Sequence, residues 1–197
     1  MNISLNYHYN NNNMEYYIIK HCDKADGDHP GNHCSPSGFE RSQKLVDLFN
    51  RLLDKRYPTH LIVPSNLDPP CKKSDRMIET LTPLAKHYGI IIEQKYCADD
   101  IDNLVRYLTS ITVGPVIICW QHAEMISIIK KLINKNNPPN LAPYDNTRND
   151  LIYRLTMKEN SCHLEVILQN LMPYDHNYLP IGYQVFEVFN KVEFINS

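Results

Sequence analysis

Two histidines in this chain each stand after a short run of β-prone apolar residues. His21 follows Tyr16, Tyr17, Ile18 and Ile19 within Lys20-His21-Cys22-Asp23-Lys24, and His122 comes shortly after Val116, Ile117, Ile118, Cys119 and Trp120. Helix-like periodicity resumes beyond both, so each imidazole is expected at the carboxyl end of a strand that feeds a helix. In a parallel α/β sheet that edge is where ligands bind and chemistry takes place. A single histidine at a strand end is ordinarily a half-exposed structural residue. Two in matching contexts, joined by Arg76 behind another strand, turn the reading toward a site.

A second group of chemistry-bearing residues overlaps the first. His21, Cys22, His29, His33 and Cys34 are all zinc-ligand types, and zinc prefers tetrahedral nitrogen and sulfur donors. Yet no Cys-x-x-Cys pair exists, and neighbours such as His21-Cys22 or His33-Cys34 cannot readily aim both side chains at one ion. A zinc-stabilised interaction module is therefore kept only as a third reading.

The elements that must position these residues follow from periodicity and turn signals. Residues 1–14, with Asn10 to Asn13 in sequence, read as a flexible leader, because such polar residues bury too little apolar area to offset the entropy of ordering. A single domain is expected over 15–197. After the first strand comes a loop rich in Asp, Gly and Pro, from Asp23 to Asn32, long enough to line a site. Ser35-Pro36 reads as N-cap and first helical position, and apolar Phe39, Leu45, Leu48, Phe49 and Leu52 carry the helix to about Lys55. Leu61 to Val63 reads as a second strand. Ser74-Asp75 caps a second helix that stops at Gly89, with Pro83 expected to kink or split it. Ile90 to Ile92, Ile101 to Leu108, Val116 to Trp120 and Glu124 to Ile133 supply a strand, helix, strand and helix. Four β-then-α units imply a three-layer α/β sandwich with a mainly parallel central sheet covered on both faces. The tail differs: Leu151 to Met157 and His163 to Leu168 alternate as a hairpin would, and Tyr183 to Phe189 suggests an edge strand.

Composition narrows the partners. The chain has 197 residues with 20 basic and 22 acidic side chains, a formal net charge of −2. A chain of this length buries roughly 70% of its unfolded surface, so a true core is expected. Interspersed charge leaves no basic stripe for nucleic acid and no polycationic face for a membrane, and any anion binding must be local. No apolar run approaches the roughly 20 residues that span a bilayer. A soluble cytoplasmic protein is expected, and its six cysteines, scattered without framework spacing, are read as thiols.

In order along the chain, Lys20-His21-Cys22-Asp23-Lys24, Cys34-Ser35-Pro36-Ser37-Gly38-Phe39-Glu40-Arg41, Ser74-Asp75-Arg76-Met77-Ile78-Glu79-Thr80 and Trp120-Gln121-His122-Ala123-Glu124 resemble the histidine phosphatase superfamily, whose founding members are the phosphoglycerate mutases. The resemblance spans about residues 15 to 170. That family opens with a strand and Arg-His-Gly or Arg-His-Ala-Glu, carries Leu-Ser-x-x-Gly-x-x-Arg/Gln-Ala on its first helix, sets an Arg before x-x-Gln/Glu-Thr, and ends its core with a strand and a second His. The resemblance implies a phosphoglycerate mutase-like fold and a cofactor-free, metal-independent phosphohydrolase acting on a soluble phosphomonoester. A catalytically silent relative that binds a phosphorylated ligand or protein is the main alternative.

By the same resemblance, Lys20, His21, Arg76 and His122 form the phosphate pocket. A phosphomonoester carries about two negative charges near neutral pH, so cations and donors must surround its oxygens. His21 would attack phosphorus as a neutral imidazole, and His122 would stabilise the developing charge. The proton donor to the leaving group is open among Asp99, Asp100 and Glu124; Asp99-Asp100 reads equally well as a helix N-cap. Arg41 is read as a solvated helix residue or a loop tether. Two departures bear on activity. Lys20 stands where the family has Arg, keeping the charge but losing the planar fork, and Cys22 adds a thiol beside the nucleophile.

Overall fold

Continuous apolar runs can be buried on both faces only inside a covered parallel sheet; Tyr16 to Ile19 and Val116 to Trp120 lie there, whereas of the expected strand Ile90 to Ile92 only Ile92 pairs, followed by Glu93, and Ile91 is exposed. The computed structural model describes residues 13–24, 32–67, 71, 74–133, 141, 143–158, 161–180 and 186–189. The strands are β1 (Met14–Lys20), β2 (His60–Ile62), β3 (Ile92–Glu93), β4 (Val116–Trp120), β5 (Leu151–Lys158), β6 (Ser161–Leu168) and β7 (Phe186–Phe189). The helices are α1 (Pro36–Leu52), α2 (Arg76–Tyr88), α3 (Ile101–Ser110) and α4 (His122–Ile133). Among the described residues the sheet has the order β3-β2-β4-β1-β5-β6-β7. Its β3-β2-β4-β1 half is parallel, and β5, β6 and β7 extend it antiparallel. The expected hairpin is β5-β6, paired from Lys158 opposite Ser161 to Leu151 opposite Leu168.

Alternation along the strands divides the core in two. Tyr17 and Ile19 of β1 with Ile117 and Cys119 of β4 pack under α1 and α2, against Leu45, Phe49, Leu81 and Leu84. Tyr16, Ile18, Ile118 and Trp120 face the other way, against α3 and α4 through Leu104, Leu108, Met125 and Ile129. These are the three expected layers of an α/β sandwich. The Trp120 indole donates to the Ala98 carbonyl oxygen at 2.9 Å, so this core residue carries no unpaired donor.

Several local expectations need correction. Pro83 neither splits nor ends α2, which runs unbroken past it; proline removes one hydrogen bond from the ladder, and the buried Met77, Leu81 and Leu84 side of the helix holds the turn together. Helix α4 begins at His122, two residues earlier than its apolar pattern, so the second histidine is the first residue of a helix. Helix α1 ends near Leu52, short of Lys55, with Asp54 and Lys55 in left-handed backbone. Four of the six cysteines are not thiols: Cys22 is bonded to Cys34 and Cys71 to Cys97, while Cys119 and Cys162 remain as buried thiols. Sequence spacing cannot reveal such pairs, because the loops that bring the sulfurs together are tertiary. The expected leader lies almost wholly outside the described residues, as does His29 of the zinc-type cluster.

Candidate functional site

Strand order creates the site. β1 and β4 are adjacent and parallel, in register from Tyr16 opposite Val116 to Lys20 opposite Trp120. The chain leaving β1 enters α1 on one face of the sheet, and the chain leaving β4 enters α4 on the other. A crevice opens between two parallel neighbours whose connections diverge in this way. His21 and His122 stand one and two residues beyond the paired ends, and both line one open cleft of about 530 Å³. Lys20, Asp23, Lys24, Ser37, Asn146, Thr147, Asn149 and Tyr174 complete its wall. Ser37 and His122 belong to the first turns of α1 and α4, so two helix amino ends begin at the cleft, where partial positive charge favours an anion.

The first turn of α1 is held against the loop after β1. Ser35 Oγ accepts from Gly38 N at 3.0 Å as a side-chain cap, and Ser35 N donates to the Asp23 carbonyl at 2.9 Å. Gly38 is required there: a β-carbon would come within 2.6 Å of the Asp23 carbonyl oxygen. Asn32 and Cys34 are stitched to the start of α2, with Asp75 N and Arg76 N both donating to Asn32 O at 3.0 Å and Cys34 N donating to Glu79 Oε2 at 2.7 Å. The Cys22–Cys34 disulfide closes the same junction directly behind His21.

His21 is buried, 3% exposed, and its Nδ1 lies 2.8 Å from the Cys22 carbonyl oxygen. A carbonyl only accepts, so Nδ1 carries the proton and Nε2 is left as the basic nitrogen. Burial pushes the His21 pKa down to about 4, and the Arg76, Lys20 and Lys24 charges push the same way. The imidazole is therefore neutral at physiological pH. His122 is also shifted down, by burial and then by Lys20, Lys24 and Arg76, and its Nδ1 is buried without a hydrogen-bond partner. Three cations thus act on both histidines. Arg76 reaches them electrostatically from the first turn of α2, with its Nε 3.4 Å from Ser74 Oγ, although it is not among the residues lining the cleft.

Lys20 is 6% exposed, and burial followed by the Lys24 charge brings its pKa down to about 8. Its ammonium donates to the carbonyl oxygens of Asn146 at 2.6 Å and Arg148 at 3.1 Å. Neutral carbonyls fix its position without cancelling its charge. The expected acids are elsewhere: Asp99 is exposed, Asp100 is the residue before α3 and accepts from Asn103, and Glu124 sits in the first turn of α4. None of the three lines the cleft. Among the described residues that line it, the carboxylate is Asp23, which accepts from Arg41 Nε at 2.7 Å and Asn149 Nδ2 at 2.9 Å. Burial works against its charge, but Arg41 and Asn149 outweigh it and hold the carboxyl below its usual range.

Arg41 is the loop tether, not the solvated residue: it is 3% exposed and also grips both Asp175 oxygens, at 3.0 and 2.7 Å. Sequence reading missed Asn146, Thr147, Asn149 and Tyr174. The polar run Asn146-Thr147-Arg148-Asn149-Asp150 just before a strand was the available signal. Of the zinc-type donors, Cys22 and Cys34 sulfurs and a Glu79 oxygen lie within 4.8 Å of one another, but the two sulfurs are bonded together.

Among solved structures, the protein histidine phosphatase SixA complexed with tungstate superposes with a TM-score of 0.50 over 74% of this chain and 90% of its own, at 15% identity. Phosphoglycerate mutase from Plasmodium falciparum superposes with a TM-score of 0.52 over 89% of this chain and 99% of its own, at 12% identity. This chain shares the fold of these two proteins. No family model matches the sequence, and no curated protein matches it. The expected phosphoglycerate mutase-like fold is thus met in three dimensions. No described helix is long and apolar enough to cross a membrane.

Proposed function

We propose that this chain is a metal-independent phosphohydrolase that acts on a soluble phosphomonoester through a phosphohistidine at His21. The observation that carries the reading is a buried, neutral His21 whose Nδ1–H is taken by the Cys22 carbonyl, leaving Nε2 as a nucleophile in a cleft lined by Lys20 and Lys24, with the Arg76 charge acting on it from the first turn of α2. In the first step His21 Nε2 bonds to phosphorus as the bond to the ester oxygen breaks, and the leaving group departs with that electron pair. The cations and an N–H of His122 stabilise the charge on the phosphoryl oxygens. Water then attacks phosphorus, the P–N bond breaks, and inorganic phosphate leaves.

Proton supply to the leaving oxygen separates substrates. Asp23 is held as a carboxylate by Arg41 and is a poor acid. Asp99, Asp100 and Glu124 remain the acids suggested by the sequence, and none of them lines the cleft. Aryl phosphates, whose phenoxide departs without full protonation, are the favoured test substrates. The second reading, a silent relative that binds a phosphorylated ligand or protein, is favoured by one feature: the Lys20 ammonium is already engaged by two carbonyl oxygens.

The experiment is single-turnover labelling with an aryl phosphate. His21→Ala is expected to remove turnover and the acid-labile phosphoenzyme together, and His122→Ala to slow phosphoenzyme formation about 100-fold or more. Unchanged turnover in His21→Ala would end the covalent mechanism. Phosphate binding without turnover in the wild type would establish the silent reading instead.

A further inference from the structure

A second cavity, of about 420 Å³, adjoins the cleft and shares His122 and Asn146 with it as a common wall. Helix α4 supplies one side. Ala123, Ile126, Ser127 and Lys130 line the cavity at spacings of three, one and three residues, a single stripe along the helix. Leu141 and Tyr144 also line it, with the Tyr144 ring centroid 6.5 Å from that of His122. The Tyr144 hydroxyl donates to the Arg148 carbonyl oxygen at 2.9 Å, which fixes the ring and leaves it as an aromatic wall. Lys130 makes no ion pair among the described residues, whereas its neighbour Lys131 is paired with Asp102.

The two ends of this cavity differ in chemistry. Near His122 it is flat and aromatic; Ile126 and Leu141 make it aliphatic beside the Ser127 hydroxyl; and Lys130 adds an ammonium that has no ion pair among the described residues. His122 and Lys130 are eight residues apart on one helix, roughly 12 Å along its axis at 1.5 Å per residue. The cavity thus extends from His122, at the edge of the cleft, to Lys130 on the same helix.

We propose that this cavity is the subsite for the esterified group and that it selects an aryl phosphate bearing a carboxylate at its distal end. The inference rests on the phosphate-binding reading of the cleft given above. The aromatic body would lie between Tyr144 and the α4 stripe, and the carboxylate would meet Lys130 in a partly desolvated, charge-assisted contact.

Titration calorimetry tests this on the intact chain with inorganic phosphate, phenylphosphonate and 4-(2-carboxyethyl)phenylphosphonate, whose C–P bonds resist hydrolysis. The carboxylated phosphonate is expected to bind about tenfold more tightly than phenylphosphonate, as one charge-assisted contact of this kind supports. The ratio of their dissociation constants should fall to about one in Lys130→Gln and invert in Lys130→Glu. Equal affinities in the wild type, with inorganic phosphate still bound, would overturn the subsite while leaving the phosphate cleft intact. A tenfold ratio retained in Lys130→Gln would overturn it as well. Failure of all three ligands to bind would remove the subsite and the phosphate reading together.

Discussion

At the residue scale the pair His21 and Lys20 defines a working pH window. His21 is neutral above about pH 4, and Lys20 keeps its positive charge below about pH 8. Below the first value the nucleophile is protonated and cannot attack; above the second the cleft loses a cation and grips the dianion less well. The rate of aryl phosphate turnover, kcat/KM, is expected to fall on an acid limb near 4 and an alkaline limb near 8. Lys20→Met should lower kcat/KM roughly 10- to 100-fold, the worth of one charge-assisted contact, and the residual activity should lack the alkaline limb. An alkaline limb that survives in Lys20→Met would assign it to another group. Lys20→Arg is expected to weaken phosphate binding, because the longer fork must displace the carbonyl contacts to Asn146 and Arg148 that seat the ammonium.

At the element scale, two devices join the loop after β1 to the helices that follow. Gly38 lets α1 approach the Asp23 backbone, and Gly38→Ala would drive a β-carbon into backbone atoms that have no flexible end to yield. The expected cost is about 1–3 kcal/mol, which for a chain of this size lowers Tm by roughly 2–12 °C, accompanied by weaker vanadate binding as the Asp23 loop shifts. A thermal scan of Gly38→Ala matching the wild type would show that the approach is not needed. The Cys22–Cys34 disulfide is the second device, spanning a sequence separation of 12. Constraint of so short a loop in the unfolded chain is worth about 3 kcal/mol. Cys22→Ser/Cys34→Ser should lower the urea midpoint accordingly, and a reductant, which also opens Cys71–Cys97, should bring the wild type and the double variant to one common lower midpoint. A double variant as stable as the oxidised wild type would leave the bond without a stabilising role.

At the scale of the whole molecule, Arg41 joins parts far apart in sequence. From α1 its guanidinium reaches Asp23 after β1, Gln169 after β6 and Asp175 beyond it. Breaking a buried pair leaves uncompensated charge, so Arg41→Ala is expected to destabilise by about 3–5 kcal/mol, read as a fall in the denaturant midpoint. The pH dependence follows in sign. Arg41 holds the Asp23 and Asp175 carboxyls below their unfolded values, so their contribution is fully present above the ordinary aspartate range and is lost as pH falls through the folded values. Acid unfolding of Arg41→Ala should accordingly show a flatter pH dependence at low pH than the wild type. An equally steep dependence would place the acid-sensitive carboxylates elsewhere.

The sequence by itself determined the helices, the two strand-end histidines and the strands apart from β3, which lies at Ile92–Glu93 and not over Ile90 to Ile92, because apolar periodicity and turn residues are local signals. Tyr16 to Ile19 and Val116 to Trp120 read as buried strands for the same reason that they are buried. Adjacency was not local. That β1 lies beside β4, with their helices on opposite faces, follows from packing the whole sheet, and it alone brings His21 and His122 to one cleft. The Asn146–Asn149 wall, the burial of Arg41 and the pairing of Cys22 with Cys34 depend on contacts between segments separated by many residues. Asp99 and Asp100 illustrate the converse: their spacing suited both a proton donor and a helix cap, and only the tertiary structure decided that Asp100 stands at the start of α3, away from the cleft wall. Local spacing specifies which elements form, whereas the reach of a side chain toward a shared ligand is set by how those elements stack.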